Sequence, residues 1–284
     1  MAEEKRGALS IVVCVKAVPS TTEVKMDPKT NTIVRDGKQA VVNPFDASAL
    51  EVALRIKDER AGVAAAGSAA EPVAGKKTRV TCVSMGIPAT ERLLRDCVAR
   101  GADAGLLLSD RAFAGADTLA TAYALTCGIR ALGEQPDLIV CGKMAVDGDT
   151  AQIGPELAGA FGVPCVAGVS EVVGLEGGEL TLRRDSDEGS ELVRVELPCV
   201  ITVSKDAADL RMPSITGVRA GEAARIEVLG AEAAGADPSR CGLVGSPTQV
   251  VRSFVPERSQ QSVRIEGAAA EQAAAFAELL EGME

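Results

Sequence analysis

Histidine and tryptophan are absent from this chain of 284 residues, and aromatic side chains are few, with one tyrosine and five phenylalanines. Histidine is the side chain that most often transfers protons near neutral pH, so its absence removes the usual general base and nucleophile activator. We therefore predict no catalytic residues and expect any chemistry to belong to a bound cofactor. The scarcity of aromatic rings also predicts a core of Val, Leu, Ile and Ala.

The cysteines are too dispersed to form a metal centre. Eight are present, but no two have the CxxC spacing, and no histidine can complete a ligand set. We therefore predict no metal site. Several cysteines lie inside apolar runs such as IVVCVK and LIVCGK, which is typical of buried, reduced thiols and fits a cytoplasmic protein.

The charge and the apolar runs exclude two kinds of partner. Acidic residues outnumber basic ones by 40 to 30, which gives a formal net charge of −10. A surface that binds nucleic acid needs a basic face, so we expect no nucleic-acid partner. No apolar run reaches the ~18 residues that a membrane span requires, and the opening residues MAEEKRGALS contain no apolar signal core. We expect no membrane insertion and a cytoplasmic location.

Apolar segments of strand length alternate with segments of helical periodicity. The runs LSIVVCVKAV, TRVTCVSMG, AGLLLSD and PDLIVCGK are each followed, directly or after a hairpin, by a helix-like segment. This alternation predicts βαβ units. The fold class is therefore α/β, with a Rossmann-like doubly wound, mostly parallel sheet. Turn residues between 20 and 42 predict a β-hairpin excursion, and further hairpin strands are expected around ELTLRRD and SELVRVELPCVITVS.

The chain is predicted to consist of one α/β domain and a tail. Residues 1–220 are assigned to the domain, and residues 221–284 to a C-terminal arm that ends in an Ala-rich helix. Residues 61–76, AGVAAAGSAAEPVAGK, are small and repetitive, so we interpret them as a flexible insertion.

Four segments are expected to meet at the carboxyl edge of the sheet, where open parallel sheets bind their ligands. They are residues 14–19, 43–46, 84–86 and 142–152. The helix after the last segment directs unpaired N–H groups at this edge, which favours a phosphate. Gly142 and Gly148 are expected to let their backbone amides approach a ligand closely. Together these features predict a crevice of nucleotide size.

The polar residues of the loop CGKMAVDGDTAQIGPELAG support two interpretations. Thr150 and Gln152 offer hydrogen bonds, whereas Asp147 and Asp149 repel phosphate and are expected to accept hydrogen bonds from a ribose or to cap the next helix. The alternative is a capped strand–helix turn without a ligand. The loop is neither a Walker A loop nor a GxGxxG motif. The candidate cofactor-binding residues are Cys14, Val15, Lys16, Asn43, Pro44, Phe45, Asp46, Ser84, Met85, Gly86, Gly142, Lys143, Ala145, Val146, Asp147, Gly148, Asp149, Thr150, Ala151, Gln152 and Ile153.

Five segments in order, VCVKAVP, NPFDASALEVALRIKDE, VSMG, CGKMAVDGDTAQIGPELA and LPCVITVSKDAADLRMPSITG, resemble the beta subunit of electron transfer flavoproteins. The similarity runs from about residue 9 to about residue 260, with the segment 61–76 as its main interruption. The resemblance implies an adenine nucleotide alpha hydrolase-like fold, an alpha subunit held by the C-terminal arm, and an adenine nucleotide in the crevice. Matched to the family, the pocket comprises Cys14, Lys16, residues 43–46, Met85 and residues 142–153.

The family has two branches that differ in the nucleotide of the beta subunit. The branch that binds structural AMP carries more acidic or bulkier residues at the positions of Gly148 and Thr150. Small residues there leave room for a pyrophosphate and a flavin, so we predict FAD. The resemblance then implies electron bifurcation: NADH gives a hydride to this FAD, and electrons pass to ferredoxin or flavodoxin and, through the alpha-subunit FAD, to an acyl-CoA dehydrogenase. The alternative is a non-bifurcating carrier with AMP, acting between acyl-CoA dehydrogenase and a quinone reductase.

The loop SKDAADLRMPSITG departs from the family's partner-recognition sequence, which often contains Asn-Glu-Pro-Arg. Arg211 and Pro213 fit that pattern, but Asp209 and Leu210 replace the usual Glu-Pro. The loop is either a recognition segment or a solvated surface turn. Two other classes fit less well. An adenylating enzyme of the related fold needs an SGGxDS phosphate loop, which VKAVPSTTE lacks, and a nucleotide-sensing protein that acts alone has no need of the arm.

Overall fold

The structure is a computed structural model that describes residues 8–20, 40–61, 78–251 and 264–282. The chain divides into two compact units, Met1–Gln249 and Val250–Glu284. Apart from Ala61, the predicted insertion at 61–76 lies outside the described residues. In the part of the chain that the structure describes, none of the helices combines the length and the apolar character that crossing a membrane demands.

Strands and helices alternate through the first unit, as the sequence pattern predicts. The strands are β1 (Ser10–Cys14), β2 (Ala17–Pro19), β3 (Ala40–Val42), β4 (Arg79–Met85), β5 (Ala104–Leu108), β6 (Leu138–Gly142), β7 (Cys165–Glu176), β8 (Glu179–Ser186), β9 (Gly189–Glu196), β10 (Cys199–Val203) and β11 (Glu227–Leu229). The helices are α1 (Pro44–Arg60), α2 (Glu91–Arg100), α3 (Thr118–Ala131), α4 (Ile153–Phe161), α5 (Ile215–Ala223) and, in the second unit, α6 (Ala269–Glu281).

The main sheet is mostly parallel. Its nine strands follow the order β11-β5-β4-β1-β6-β10-β7-β8-β9. The pairs β7–β8 and β8–β9 are antiparallel, and the other pairs are parallel. From β1 the chain moves outward through β4 and β5 and then returns to β6 on the other side of β1. This reversal of direction confirms the doubly wound fold and places its switch point between β1 and β6.

Helices cover both faces of the sheet. Ile11 and Val13 of β1 belong to a buried cluster with residues of α1 and α2. Val12 and Cys14 point to the other face and belong to a cluster with residues of α3 and α4. Both faces of β1 are therefore buried, which explains why its sequence after Ser10 is apolar at every position instead of alternating.

A short antiparallel pair flanks the region of the predicted hairpin, and its first strand, β2, lies before residue 20, in the segment predicted as the first strand and its end. β2 and β3 pair in antiparallel register, with Val18 opposite Val41. The connecting residues 21–39 lie outside the described part of the chain.

Three elements of the C-terminal half differ from the expectation. The segment CVITV was expected in a hairpin but forms β10, which lies parallel between β6 and β7 with all five residues buried. Helix α5 was not predicted. Strand β11 pairs with β5 at the edge of the sheet. Residues that follow β11 are also bonded to the domain: the Ala231 N–H donates to Asp110 (2.9 Å), and the Thr248 N–H donates to Asp117 (3.1 Å). Residue 220, the predicted domain boundary, therefore lies inside a unit that extends to Gln249.

Helix α5 packs against α2 through two glycines. A Cβ at Gly217 would collide with the carbonyl oxygen of Ala99. A Cβ at Gly221 would lie 2.5 Å from the Arg95 carbonyl oxygen and 2.8 Å from the Ala99 Cβ. Both separations are shorter than van der Waals contact, so this approach of the two helices requires glycine.

Gly221→Ala is expected to lower the free energy of unfolding by about 1–3 kcal/mol, because the added methyl group must push α5 away from α2. Gly159→Ala is the matched control, since Gly159 is also third from the end of a nine-residue helix but nothing lies within 4 Å of its Cβ position. That change should raise the free energy of unfolding by up to about 1 kcal/mol through helix propensity. Urea denaturation measures both, and equal effects would contradict the close packing of α5.

Candidate functional site

The base of the predicted crevice is held together by Asp46, in the first turn of α1. Its Oδ2 accepts a hydrogen bond from the Lys16 N–H (2.8 Å), just beyond β1, and its Oδ1 accepts one from the Gly142 N–H (3.2 Å), at the end of β6. Burial raises the pKa of Asp46 to about 7, although these two bonds and one from Asn43 act to lower it. One carboxyl group therefore joins α1 to both strands at the switch point.

Gly142 is required for packing between β6 and α1. A Cβ at this position would collide with Asp46 Oδ1 and would lie 2.6 Å from the Phe45 Cβ. Its N–H is already bonded to Asp46. This differs from the expectation that the Gly142 amide approaches a ligand: the missing side chain lets α1 approach the strand instead.

Asn43 fixes the first part of the loop after β6. It is fully buried, its Nδ2 donates to the Met144 carbonyl (2.8 Å), and its Oδ1 accepts from the Val146 N–H (3.2 Å). Asn43 immediately precedes α1, and its side chain makes no cap bond to that helix. The helix begins at Pro44, so Asp46 and Ser48 lie inside its first turns and are not at the cap position.

A charge pair crosses the crevice from β1 to the loop. Lys16 Nζ lies 2.5 Å from Asp147 Oδ1. The Asp147 side chain is 8% exposed and that of Lys16 is 39% exposed, so the carboxylate lies beneath the ammonium group.

Helix α4 begins after Gln152, without a side-chain cap bond. The alternative that Asp147 or Asp149 caps this helix is therefore wrong.

The second half of the loop is exposed and has an unusual backbone. Residues 148–152 are all exposed, and nothing lies within 4 Å of a Cβ placed on Gly148. Asp149 (φ 49°) and Ala151 (φ 54°) adopt left-handed backbone conformations, which cost about 1 kcal/mol or more for residues other than glycine. These two turns bring the chain directly to the N-terminal end of α4.

The structure brings three of the four predicted segments into direct hydrogen-bonding contact, through their residues 14–16, 43–46 and 142–147. The fourth, 84–86, lies beside β1, because the Val15 N–H donates to the carbonyl of Val83 (2.9 Å). The Ser84 hydroxyl is buried without a hydrogen-bond partner in the described part of the chain. The predicted residues that are buried are Cys14, Val15, Asn43, Phe45, Asp46 and Ser84; those partly exposed are Lys16, Met85, Gly86, Gly142, Ala145, Asp147 and Ile153; those exposed are Pro44, Lys143, Val146, Gly148, Asp149, Thr150, Ala151 and Gln152.

Sequence reasoning missed the start of α3, which also reaches this edge. The Thr118 hydroxyl lies 3.1 Å from Gln152 Oε1 and 3.1 Å from Glu156 Oε1. Asp117 caps α3 by accepting from the Ala120 N–H (3.0 Å). The pair Asp-Thr before a helical pattern is a helix-start motif that follows a buried strand, so its place at the carboxyl edge was available from the sequence.

The loop between β10 and α5, predicted as a recognition segment or a surface turn, is anchored to α1. The Arg211 guanidinium contacts the buried Glu51 (Nε–Oε2 2.9 Å) and Asp58 (Nη1–Oδ2 2.6 Å). Burial would raise the pKa of Glu51, but the hydrogen bonds from Arg211 hold it below its usual value. Met212 and Ile215, next to this anchor, are 84% and 79% exposed. The loop therefore combines a fixed base with exposed apolar side chains.

Known proteins similar to this chain fall in one family. A family model described as "Electron transfer flavoprotein domain" matches residues 30–233. The caffeyl-CoA reductase-Etf complex subunit CarD of Acetobacterium woodii is 42% identical over 248 residues, which cover 87% of this chain and 88% of that protein. The electron transfer flavoprotein subunit beta of Megasphaera elsdenii is 41% identical over 253 residues, with the same two shares covered. Protein FixA of Azorhizobium caulinodans is 37% identical over 265 residues, which cover 91% of this chain and 89% of that protein.

The family match begins after β1 and therefore does not contain the site segment 14–16. The family match contains the segments 43–46, 84–86 and 142–153, and it ends shortly after β11. The high coverage of both chains means that the shared region is nearly the whole protein in each case. The chain therefore belongs to the electron transfer flavoprotein family, as a beta subunit.

Proposed function

We propose that this chain binds FAD at the carboxyl edge of β1 and β6. We further propose that, in a heterodimer with an alpha subunit, it accepts electrons from NADH and divides them between a low-potential carrier and an acyl-CoA dehydrogenase. The observation that carries the proposal is the joined set of site segments. Asp46, Asn43 and Lys16 hold the first part of the loop after β6, and its exposed part leads directly into α4.

The N-terminal end of α4 supplies the phosphate-binding groups in this proposal. The first N–H groups of a helix have no intrahelical acceptor and carry a partial positive charge. At α4 these groups belong to Ile153 and Gly154, and the exposed residues 148–152 precede them. The strained backbone at Asp149 and Ala151 supports a site that is organised before its ligand arrives, since strain of this kind is concentrated at functional sites.

The acidic residues of the loop do not prevent anion binding. Lys16 pairs with Asp147, so this carboxylate adds little net negative charge to the crevice. Lys143 is exposed at the beginning of the loop and adds a positive charge. The remaining loop carboxylate, Asp149, is exposed to solvent, which screens its charge and leaves it available to a ribose hydroxyl.

The proposal of FAD over AMP depends on the space beyond the phosphate. Gly148 has no side chain and no neighbour within 4 Å of its Cβ position, and Thr150 is small and exposed. A second phosphate and a flavin can then extend past the loop without meeting a side chain there. When bound, FAD supplies the two-electron and one-electron redox chemistry, and the residues of this chain bind it and orient it.

The proposed partners follow from the relatives and from the exposed surface. CarD is named as part of a complex with caffeyl-CoA reductase, which supports an acyl-CoA dehydrogenase as partner here. Ferredoxin or flavodoxin is proposed as the second acceptor. The alpha subunit is proposed to bind the C-terminal arm, in which Phe276, Leu279 and Leu280 of α6 are exposed. All eight cysteines are free thiols and seven are buried, which fits the cytoplasmic location that we propose.

The nucleotide content of the purified heterodimer tests the proposed cofactor. The chain is co-expressed with its alpha subunit, the complex is denatured, and the released FAD and AMP are separated and quantified. We expect about two FAD per heterodimer and no AMP, because each subunit holds one flavin. One FAD with one AMP would contradict the FAD site and would support the AMP-binding carrier.

A loop variant tests which residues separate FAD from AMP. Gly148→Asp combined with Thr150→Leu adds charge and bulk beyond the phosphate, so the affinity of the nucleotide-free heterodimer for FAD should fall about tenfold or more. Its affinity for AMP should change less than about threefold, since AMP ends before these residues. Gly159→Asp, on the exposed face of α4, is the control for added charge. Equal losses for both nucleotides in calorimetric titrations would show that these positions do not distinguish them.

A further inference from the structure

Three oxygen atoms meet where α3 and α4 begin. The Thr118 Oγ1 lies 3.1 Å from Gln152 Oε1 and 3.1 Å from Glu156 Oε1. A threonine hydroxyl has one hydrogen, so it can donate to one of these two oxygens and not to both. The second contact needs another hydrogen. A protonated Glu156 can provide it by donating to Thr118, as can the Gln152 amide if it presents Nε2 to Thr118 instead of Oε1.

The other oxygen of Glu156 gives an independent reason for a neutral carboxyl group. Oε2 is buried and has no hydrogen-bond partner among the residues that the structure describes. An ionised oxygen in this position loses its hydration without compensation, whereas the oxygen of a neutral acid loses much less. Burial raises the pKa of Glu156, and the nearby Asp117 raises it further, although the Thr118 hydroxyl acts to lower it.

The charged groups around Glu156 do not offset this effect. Asp117, on the adjoining α3, is negative, and its own carboxylate is bonded to Ala120 and Thr248. α4 has no other charged residue, and β6 and β10, which pack against it, have none.

Arg130 of α3 contacts Ala160 and Phe161, at the other end of α4. In β7, which also packs against α4, Glu171 pairs with Arg183 and Glu176 is the last residue. Lys143 is exposed at the beginning of the loop that precedes α4. In the preceding loop Asp147 pairs with Lys16, and Asp149 is negative. No basic side chain in these elements forms an ion pair with Glu156 in the described part of the chain.

The protonation state of Glu156 matters because of its place in the first turn of α4. An ionised carboxylate there would interact with the positive end of the helix and would repel another anion. We propose that Glu156 retains its proton to a higher pH than an exposed carboxyl group does, and that in this neutral form it leaves the N-terminal end of α4 to the phosphate of the bound nucleotide. Glu156 is thus a positioning residue, which acts on the phosphate through the charge at the start of α4. The inference rests on the proposed function, since it concerns the same site.

The pH dependence of AMP binding tests this inference. AMP is titrated into the nucleotide-free heterodimer between about pH 5 and about pH 9, with the wild type, Glu156→Gln and the exposed control Glu134→Gln. Glu156→Gln keeps the size and the neutral charge, so its affinity at high pH should exceed that of the wild type by about fivefold, while the two agree at low pH. The ionisation of AMP itself cancels in the comparison. Glu134→Gln should follow the wild type.

A stability measurement separates the two ways in which this experiment can fail. Because the pKa of Glu156 is higher in the folded than in the unfolded chain, its contribution to stability is present below the unfolded value and is lost as the pH rises through the folded value. The pKa of Asp46 is also raised, so its contribution to stability changes with pH in the same direction. Asp46 is present in both the wild type and Glu156→Gln, so this contribution cancels in the comparison. Without nucleotide, the free energy of unfolding of the wild type should therefore fall more steeply with pH than that of Glu156→Gln.

Each outcome decides between the proposals. Parallel stability curves and identical pH profiles of AMP binding would overturn the neutral Glu156. A steeper wild-type stability curve with identical binding profiles would overturn its role at the phosphate. No AMP binding by any variant at any pH would overturn the nucleotide site itself, and the inference with it, whatever the stability curves show.

Discussion

The geometry of the crevice depends on one buried carboxyl group, that of Asp46. At the switch point β1 and β6 separate, so the N–H groups of Lys16 and Gly142 bond to Asp46 instead of to a neighbouring strand. An unpaired N–H in such a buried place costs about 1–3 kcal/mol. The position of Asp46 in α1 also forbids any side chain at residue 142. Asp46 and Gly142 are therefore interdependent, whereas Lys16 contributes to this unit through its backbone N–H.

Helix α1 extends this constraint to a second surface. Its N-terminal end holds the loop after β6 through Asn43, and later residues hold the loop before α5. There Ser48 accepts from the Ala208 N–H (3.0 Å), and Glu51 accepts from the N–H and the guanidinium of Arg211. The nucleotide crevice and the exposed apolar residues next to Arg211 are thus supported by one rigid element. A displacement of α1 would alter both surfaces together.

The alternation of strands and helices was predictable because periodicity reports burial within each segment. The place of β10 was not, since an all-apolar CVITV fits a hairpin strand as well as a central one, and its neighbours are decided by tertiary packing. The site segments followed from the parallel order of the strands. The roles of Gly142 and Asp147 did not, because each depends on a partner far along the chain, 96 residues away for Asp46 and 131 for Lys16.

An acidic loop can hold an anionic nucleotide if its carboxyl groups are compensated one by one. Lys16 compensates Asp147, solvent screens the exposed Asp149, and a proton neutralises Glu156 in our proposal. In this proposal the positive end of α4 then faces the phosphate. The net charge of −10 opposes binding to a long row of phosphates, whose field acts on the whole surface. A single nucleotide responds to the local potential instead, and there the backbone N–H groups of one helix outweigh distant surface charges.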